Sequence, residues 1–264
     1  MKSYGTPEVP IRCAAIPTLI RCPARVILEV LEMTPRTSGK AADTGTAAHY
    51  AVSQFHMGAT AKEAVAAMKL AAADFPFADI EEAQSLFTAY SEDTRNQVPV
   101  AYVEKKVYLT LDPHPWDSTG TPIHVEGTTD QVRLESGVYR VWDYKTGSPG
   151  GWEMLHDYAY QLAAYTLATR QTLGIDAHPG GIIRGRGYFN RGTRRPETSP
   201  DGVFFPCPMS VDQCIMMMER LKLVVAGIRA GAPMYGPGDH CRYCPHGGLG
   251  QCLELGHRRG LKVI

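Results

Sequence analysis

Glu126-Gly127-Thr128-Thr129-Asp130, followed beyond Glu135-Ser136-Gly137-Val138 by Val141-Trp142-Asp143-Tyr144-Lys145-Thr146-Gly147, reads as the two strands of one hairpin. Gly137 accepts the positive φ that a two-residue turn at Ser136-Gly137 requires. A turn there sets Asp130 directly opposite Asp143, with Cβ atoms about 5 Å apart. Like charges that close are unfavourable unless something positive lies between them, and a divalent cation with oxygen ligands is the obvious candidate. Asp143 and Lys145 are two apart and share a face, while Tyr144 points the other way. Two carboxylates and an ammonium on one face can hold a metal, orient a phosphate and activate a water for in-line attack. The bland alternative is a solvated hairpin face with an ordinary Asp–Lys ion pair, and an Asp-x-Lys triplet alone does not separate the two.

Working outward, Tyr102–Leu109 alternates as a strand, with further strands expected near 123–134, 138–145, 181–189 and 202–206. Upstream the period is helical. A helix is expected from Pro17 through Leu31, a second capped by Thr44 and carrying His49, and a third after the capping box Thr60–Glu63. A fourth covers roughly 79–95. Downstream, a long helix is expected over Glu153–Leu173 and another over 210–229. The fold class is therefore α/β: a mixed sheet flanked by helices. One domain is expected, made of an N-terminal helical part (1–99), a mixed-sheet core (100–206), and a helix plus cysteine-rich tail (207–264).

Composition excludes several classes. The chain has 264 residues, 44% hydrophobic and 20% charged, which is ordinary for a soluble globular protein and rules out disorder and low complexity. No apolar run approaches the ~20 residues that span a bilayer, and Met1–Pro7 lacks an apolar signal core, so a cytoplasmic location and no membrane are expected. Lys+Arg and Asp+Glu are both 27, so a basic surface for nucleic acid must be local. No Gly-x-Ser-x-Gly elbow and no phosphate-cradling lysine loop occur, which disfavours serine hydrolases and ATPases.

Seven cysteines without a secretory signal argue against a disulfide framework. Cys241, Cys244 and Cys252 cluster, with Pro245 and three glycines between, as metal ligands do. His257 as fourth ligand gives a Cys₃His zinc site; Cys22 gives a Cys₄ set suited to a [4Fe–4S] cluster and clasps the two ends of the chain together. Cys13 is an outside alternative to Cys22, and Cys207 and Cys214 read as buried thiols.

Gly-x-x-Asp, about a dozen residues, then Asp-Tyr-Lys-Thr-Gly resembles the core of the PD-(D/E)XK nucleases, specifically the RecB-like branch. Gly45-Thr46-Ala47-Ala48-His49 resembles that branch's Gly-Thr-x-x-His helix, and Gln161-Leu162-Ala163-Ala164-Tyr165 its Gln-x-x-x-Tyr helix. The blocks occur in the family's order over roughly 45–165. The resemblance implies a restriction-endonuclease-like core in which Asp130 and Asp143 bind Mg²⁺ or Mn²⁺, with His49 and the Tyr144 carbonyl completing the sphere. Lys145 would position or polarise the attacking water, and Gln161 and Tyr165 would contact substrate or steady the lysine. Glu104 and Glu126 are acidic neighbours on the same sheet, as second-metal ligands or as plain exposed strand residues. The branch's iron–sulfur members, among them CRISPR-associated exonucleases, carry one cysteine before the Gly-Thr-x-x-His helix and a C-x₂-C-x(n)-C group after the core. That split pattern selects Cys22, Cys241, Cys244 and Cys252 as a [4Fe–4S] set over zinc.

Arg184-Gly185-Arg186-Gly187-Tyr188-Phe189-Asn190-Arg191-Gly192-Thr193-Arg194-Arg195 holds five arginines, two aromatics and no acids. It reads either as a DNA groove or as a strand leading into a solvated loop; Arg258, Arg259 and Lys262 extend it or form a soluble tail. The combined expectation is a metal-dependent DNA exonuclease acting on single-stranded or free ends in recombination, repair, or CRISPR or phage DNA processing, in a bacterial or phage-infected cell. Recombination or CRISPR proteins are the expected partners, and an oligomer is compatible with processive action. The rivals are a catalytically inactive DNA-binding module and a zinc-binding interaction protein.

Overall fold

The computed structural model describes residues 3–26, 39–146, 153–184, 188–190, 195–197 and 204–231, with side chains described for all of these except 153–157, 188–190 and 195–197. In chain order the elements are β1 (Ile11–Arg12), α1 (Ile16–Arg21), α2 (Lys40–His56), α3 (Ala61–Leu70), α4 (Ile80–Glu92), β2 (Val100–Leu111), β3 (Ile123–Glu135), β4 (Val138–Lys145), α5 (Glu153–Leu173), β5 (Ala177–Arg184), β6 (Tyr188–Asn190), β7 (Arg195–Glu197), β8 (Phe204–Pro206) and α6 (Val211–Arg229). Among the described residues no helix is long and apolar enough to cross a membrane.

Six strands form one mixed sheet in which β3 pairs with β2 along one edge and with both β1 and β4 along the other; β5 and β8 follow β4. The pair β3–β4 is antiparallel and β4–β5 parallel, with α5 as the crossover that a parallel connection demands. β6 and β7 form a separate two-stranded ribbon. One face of the sheet packs against α1, α5 and α6 through Val107, Val125, Val132, Val141, Ala164 and Val225. The other is covered by α2, α3 and α4 through Ala47, Ala51, Phe87, Tyr90, Trp142 and Tyr144.

Local chemistry explains most boundaries. Thr60 and Glu63 cap α3 reciprocally, and Ser210 with Gln213 does the same for α6. Helix α1 stops at Arg21, short of the expected Leu31. Pro23 excludes the helical conformation from the residue before it, and Cys22 sits extended at φ −148°, ψ 87°. A turn of helix resumes at 23–26, and the rest of that expected helix lies outside the described residues. Helix α2 starts at Lys40, not at Thr44, whose hydroxyl instead donates to the Lys40 carbonyl from inside the helix and accepts from the Asp79 amide.

The face beneath α4 contains a buried polar network. Arg133, 1% exposed, donates to Gln131 Oε1, Asn96 Oδ1 and the Arg95 carbonyl, and its guanidinium lies over the rings of Trp142 and Phe204. Tyr90 Oη accepts from Gln131 Nε2 at 2.5 Å and from Arg133 Nη2 at 3.4 Å, which occupies both lone pairs. Its own proton therefore goes to His56 Nε2, 2.6 Å away, and His56 must be neutral. Burial, helped by the Arg133 charge, lowers the His56 pKa to about 4.

In the unfolded chain that imidazole titrates near 6.5, so between the two values only the unfolded state binds the proton. Stability is expected to fall as pH drops from about 6.5 towards 4, by about 2 kcal/mol after allowance for partial exposure. Urea midpoints measured across that range should flatten in His56→Gln; parallel curves for the two proteins would refute the assignment.

Two of β2's outward backbone positions are covered by side chains of α5. The Tyr108 amide donates to Thr172 Oγ1, which donates back to the Tyr108 carbonyl. Likewise the Thr110 amide donates to Gln171 Oε1, and Gln171 Nε2 returns to the Thr110 carbonyl.

Candidate active site

β3 changes partner along its length. Val125 and Glu126 pair with β1, Gln131 through Glu135 pair with β4, and the stretch between is left as a fork. Asp130 sits in that fork. Ser136 and Gly137 adopt φ of 51° and 82°, both in the left-handed region of a primed hairpin turn, and the register from Gln131↔Trp142 to Glu135↔Val138 follows from it. The ladder ends at Gln131↔Trp142, one rung before the expected Asp130–Asp143 pair. Asp130 instead turns its Oδ2 to the Tyr144 amide, 2.6 Å away, and so takes the place of a backbone partner where the strands part.

Three elements converge on Asp130. The pairs Val103↔Gln131 and Lys105↔Thr129 set Glu104 of β2 opposite it, and Glu104 has φ 45°, a conformation costly for a residue with a side chain. From α2, His49 places Nδ1 3.5 Å from Asp130 Oδ1, its ring held edge-on to Tyr144 at 4.9 Å. One ligand atom from each of His49, Glu104 and Asp130 lies within 4.8 Å of the others. On β4, buried Asp143 accepts from Gln161 Nε2 of α5 at 3.3 Å, and its Oδ2 is 2.7 Å from Lys145 Nζ. That last approach is a charge contact without hydrogen-bond alignment, so a buried carboxylate oxygen keeps unused acceptor capacity.

The electrostatics describe a site rich in negative charge. Burial pushes Glu104 up to about 7, reinforced by Asp130 and Asp143. Burial likewise raises Asp143 to about 6 against the pull of Lys145. Asp130 is held below the usual carboxylate range: burial acts upward, but His49, Lys145 and the Tyr144 amide outweigh it. For His49 the burial effect is downward, and Asp130 reverses it to a raised value. Lys145 shows the same balance, its net rise coming from Asp143 and Asp130. Carboxylate oxygens with one imidazole, one oxygen unsatisfied and two carboxyls driven toward protonation, form a donor set that fits Mg²⁺ or Mn²⁺.

The other expected site residues are distributed as follows. Tyr165 is buried on α5 against Gly127, where an added Cβ would come within 2.6 Å of its ring. Tyr144 offers Asp130 its amide. Glu126 lies outside the His49–Glu104–Asp130 cluster and lines a neighbouring cavity with Arg12. Arg184 is a correction: it is 4% exposed within β5, because the strand runs through it, and so does not belong to an exposed arginine loop. Arg186, Arg191 and Arg194 lie outside the described residues, as do Cys241, Cys244, Cys252, His257, Arg258, Arg259 and Lys262; Arg195 opens β7 with its side chain undescribed. Cys22 is buried at the end of α1.

A contact that sequence reasoning missed joins two of the motif blocks. A Cβ on Gly45 would come 2.6 Å from Thr146 Oγ1, so α2 reaches the end of β4 only because position 45 is bare. Gly45→Ala is expected to shift the helix that carries His49 and to lower metal affinity about 10-fold or more, with Thr146→Ala in the same chain restoring most of it. Titration calorimetry with Mn²⁺ on the two variants checks this, and failure of the second change to rescue the first would exclude the contact as the cause.

Carboxylates, a lysine and an imidazole gathered where a mixed sheet forks are the groups that metal-assisted hydrolysis draws on. The chain belongs to the PD-(D/E)XK nuclease superfamily, whose family model matches residues 13–249. The crystal structure of SSO0001 is similar over 92% of this chain and 85% of that one, at 15% identity and a TM-score of 0.41. No curated protein matches the sequence.

Proposed function

We propose that this chain is a Mg²⁺- or Mn²⁺-dependent deoxyribonuclease. Glu104, Asp130 and His49 would hold the cation, with Asp143 completing the acidic set. The observation that carries the reading is the Lys145–Asp143 contact beside the His49–Glu104–Asp130 cluster, at the point where the sheet forks. When bound, the cation supplies Lewis acidity toward the scissile phosphate and makes a bound water more acidic. Lys145 remains an ammonium because its net pKa shift is upward, so it serves as a charged hydrogen-bond donor to the attacking water or a phosphate oxygen and not as a base. Gln161 holds the Asp143 carboxylate in place through Oδ1.

The finer reading is an exonuclease on single-stranded ends, leaving 5′-phosphates, in recombination, repair or CRISPR or phage DNA processing. The RecB-like motif blocks support it, and the arginine-rich stretch from Arg186 to Arg195 is the groove proposed for the strand. The same branch motifs support a [4Fe–4S] cluster on Cys22, Cys241, Cys244 and Cys252 in a single domain, with zinc as the alternative metal. Iron and labile sulfide analysis of the purified protein and of Cys22→Ser separates the two.

End-labelled single- and double-stranded DNA incubated with Mn²⁺ and with EDTA tests the activity. Metal-dependent ladders from one end define an exonuclease and its polarity, whereas intact DNA with a folded, metal-loaded protein would overturn the proposal.

A further inference from the structure

Beside the fork lies a cavity of about 400 Å³, lined by residues of β1, β2, β3 and α5 that the cation site does not use. Arg12 and Lys106 bring two exposed cations to it, and neither makes an ion pair within 4 Å among the described residues. Tyr108, 51% exposed, adds an aromatic ring, Thr128 a hydroxyl and Glu126 a carboxylate, over a floor closed by Tyr165 packed on Gly127. The register ties this cavity to the site. Lys106 pairs with Thr128 and Tyr108 with Glu126, respectively two and four residues along from the opposed Glu104 and Asp130. At the rise of a β-strand the first of those steps is about 7 Å, on the scale of one nucleotide in an extended strand.

Resting on the nuclease reading above, we propose that this cavity is a subsite for the nucleotide adjoining the scissile phosphate. Arg12 and Lys106 take its phosphate and Tyr108 stacks on its base. The charge argues for a nucleotide over a neutral ligand: Arg12 and Lys106, without an ion-pair partner among the described residues, line a space of ligand size with Glu126, and the single charge of a phosphodiester balances the set. Stacking on Tyr108 is sequence-tolerant, since every base has a π-face. Glu126, the register partner of both Arg12 and Tyr108 and two residues along β3 from Thr128, serves as an acceptor for a sugar hydroxyl or a base amino group.

The test measures binding of fluorescein-labelled oligothymidylate by anisotropy at several salt concentrations in Ca²⁺, with the probe's length verified on a gel. Each lost phosphate contact on a single strand should lower the slope of log K against log salt by about 0.7. Arg12→Gln/Lys106→Gln is expected to lose at least about tenfold in affinity at low salt and about 0.7 in slope, the one phosphate contact the pair makes together, with each single change giving part of the slope effect. Lys69→Gln, exposed on α3, is the matched control and should change neither. Tyr108→Ala should weaken binding roughly tenfold with the slope retained, the signature of stacking rather than charge. These side chains are solvent-exposed, and thermal melting of each variant checks that the fold is intact. A slope in the double variant equal to that of Lys69→Gln overturns the subsite. If wild-type protein cuts no DNA yet the slope falls as stated, the subsite stands and the nuclease reading fails; cutting with an unchanged slope gives the converse.

Discussion

Lys145→Ala is expected to lower metal-dependent DNA cleavage by about 10²- to 10⁴-fold while leaving the protein folded. The lysine is the cation 2.7 Å from Asp143 Oδ2, an oxygen that makes no other contact of hydrogen-bonding kind among the described residues. Removing the ammonium takes away the donor that faces the reacting groups. It also leaves Asp143, already raised to about 6 by burial, to climb further and carry a proton at neutral pH. The variant therefore loses both the donor and a charged carboxylate. Lys145→Arg restores the charge and should recover part of the rate, and raising pH should recover part of the Lys145→Ala loss as Asp143 ionises. Single-turnover rates from pH 6 to 9 in Mn²⁺ measure all three. A wild-type rate in Lys145→Ala would mean that the reacting centre lies elsewhere.

Arg133→Ala should cost about 3–5 kcal/mol of folding stability, the largest effect expected away from the site. The side chain is fully buried, and its loss would strand Gln131 Oε1 and Asn96 Oδ1 as acceptors without their donor while opening a cavity under Trp142 and Phe204. Arg133→Met should cost less, because it refills the volume without restoring the hydrogen bonds. On the neighbouring strand, Arg140 pairs loosely with Glu135 at 3.7 Å near the surface, and its alanine variant should lose under about 1 kcal/mol. Urea denaturation of the three proteins gives the comparison. Equal losses at 133 and 140 would show that the buried guanidinium is not held as described.

Sequence legibility followed the range of the forces involved. The hairpin could be read because Ser136-Gly137 is a local turn signal, and α3 and α6 because their caps lie within three residues of the helix start. The break at Cys22 is equally legible in Pro23, which disfavours helix at the residue before it. By contrast β1 is two residues long, with no period to detect, and its pairing with Val125 crosses more than a hundred residues. Alternation misleads at the end of β3, where Leu134 is 52% exposed and Arg133 is buried, because Tyr90 of α4 and the turn at Arg95 and Asn96 beyond it supply a polar lining for that face. In the site, the residue types at 49, 130, 143, 145 and 161 were visible in their motif blocks. Glu104 was legible only as an acidic neighbour, second-metal ligand or exposed strand residue alike; its left-handed backbone opposite Asp130 was not, since tertiary packing imposes it.

The four bonds from Gln171 and Thr172 to β2 have a consequence for the behaviour of the chain in a crowded solution. β2 is a twelve-residue strand with one neighbour in its sheet among the described residues, and bare amides and carbonyls on such an edge are a template for another copy of the same strand. The two side chains occupy that template as a strand would, without offering a further edge of their own. A chain carrying alanine at both positions would keep its core and, by this logic, its melting temperature to within a few degrees. What it would lose is solubility: light scattering at high concentration should rise well before any unfolding signal does.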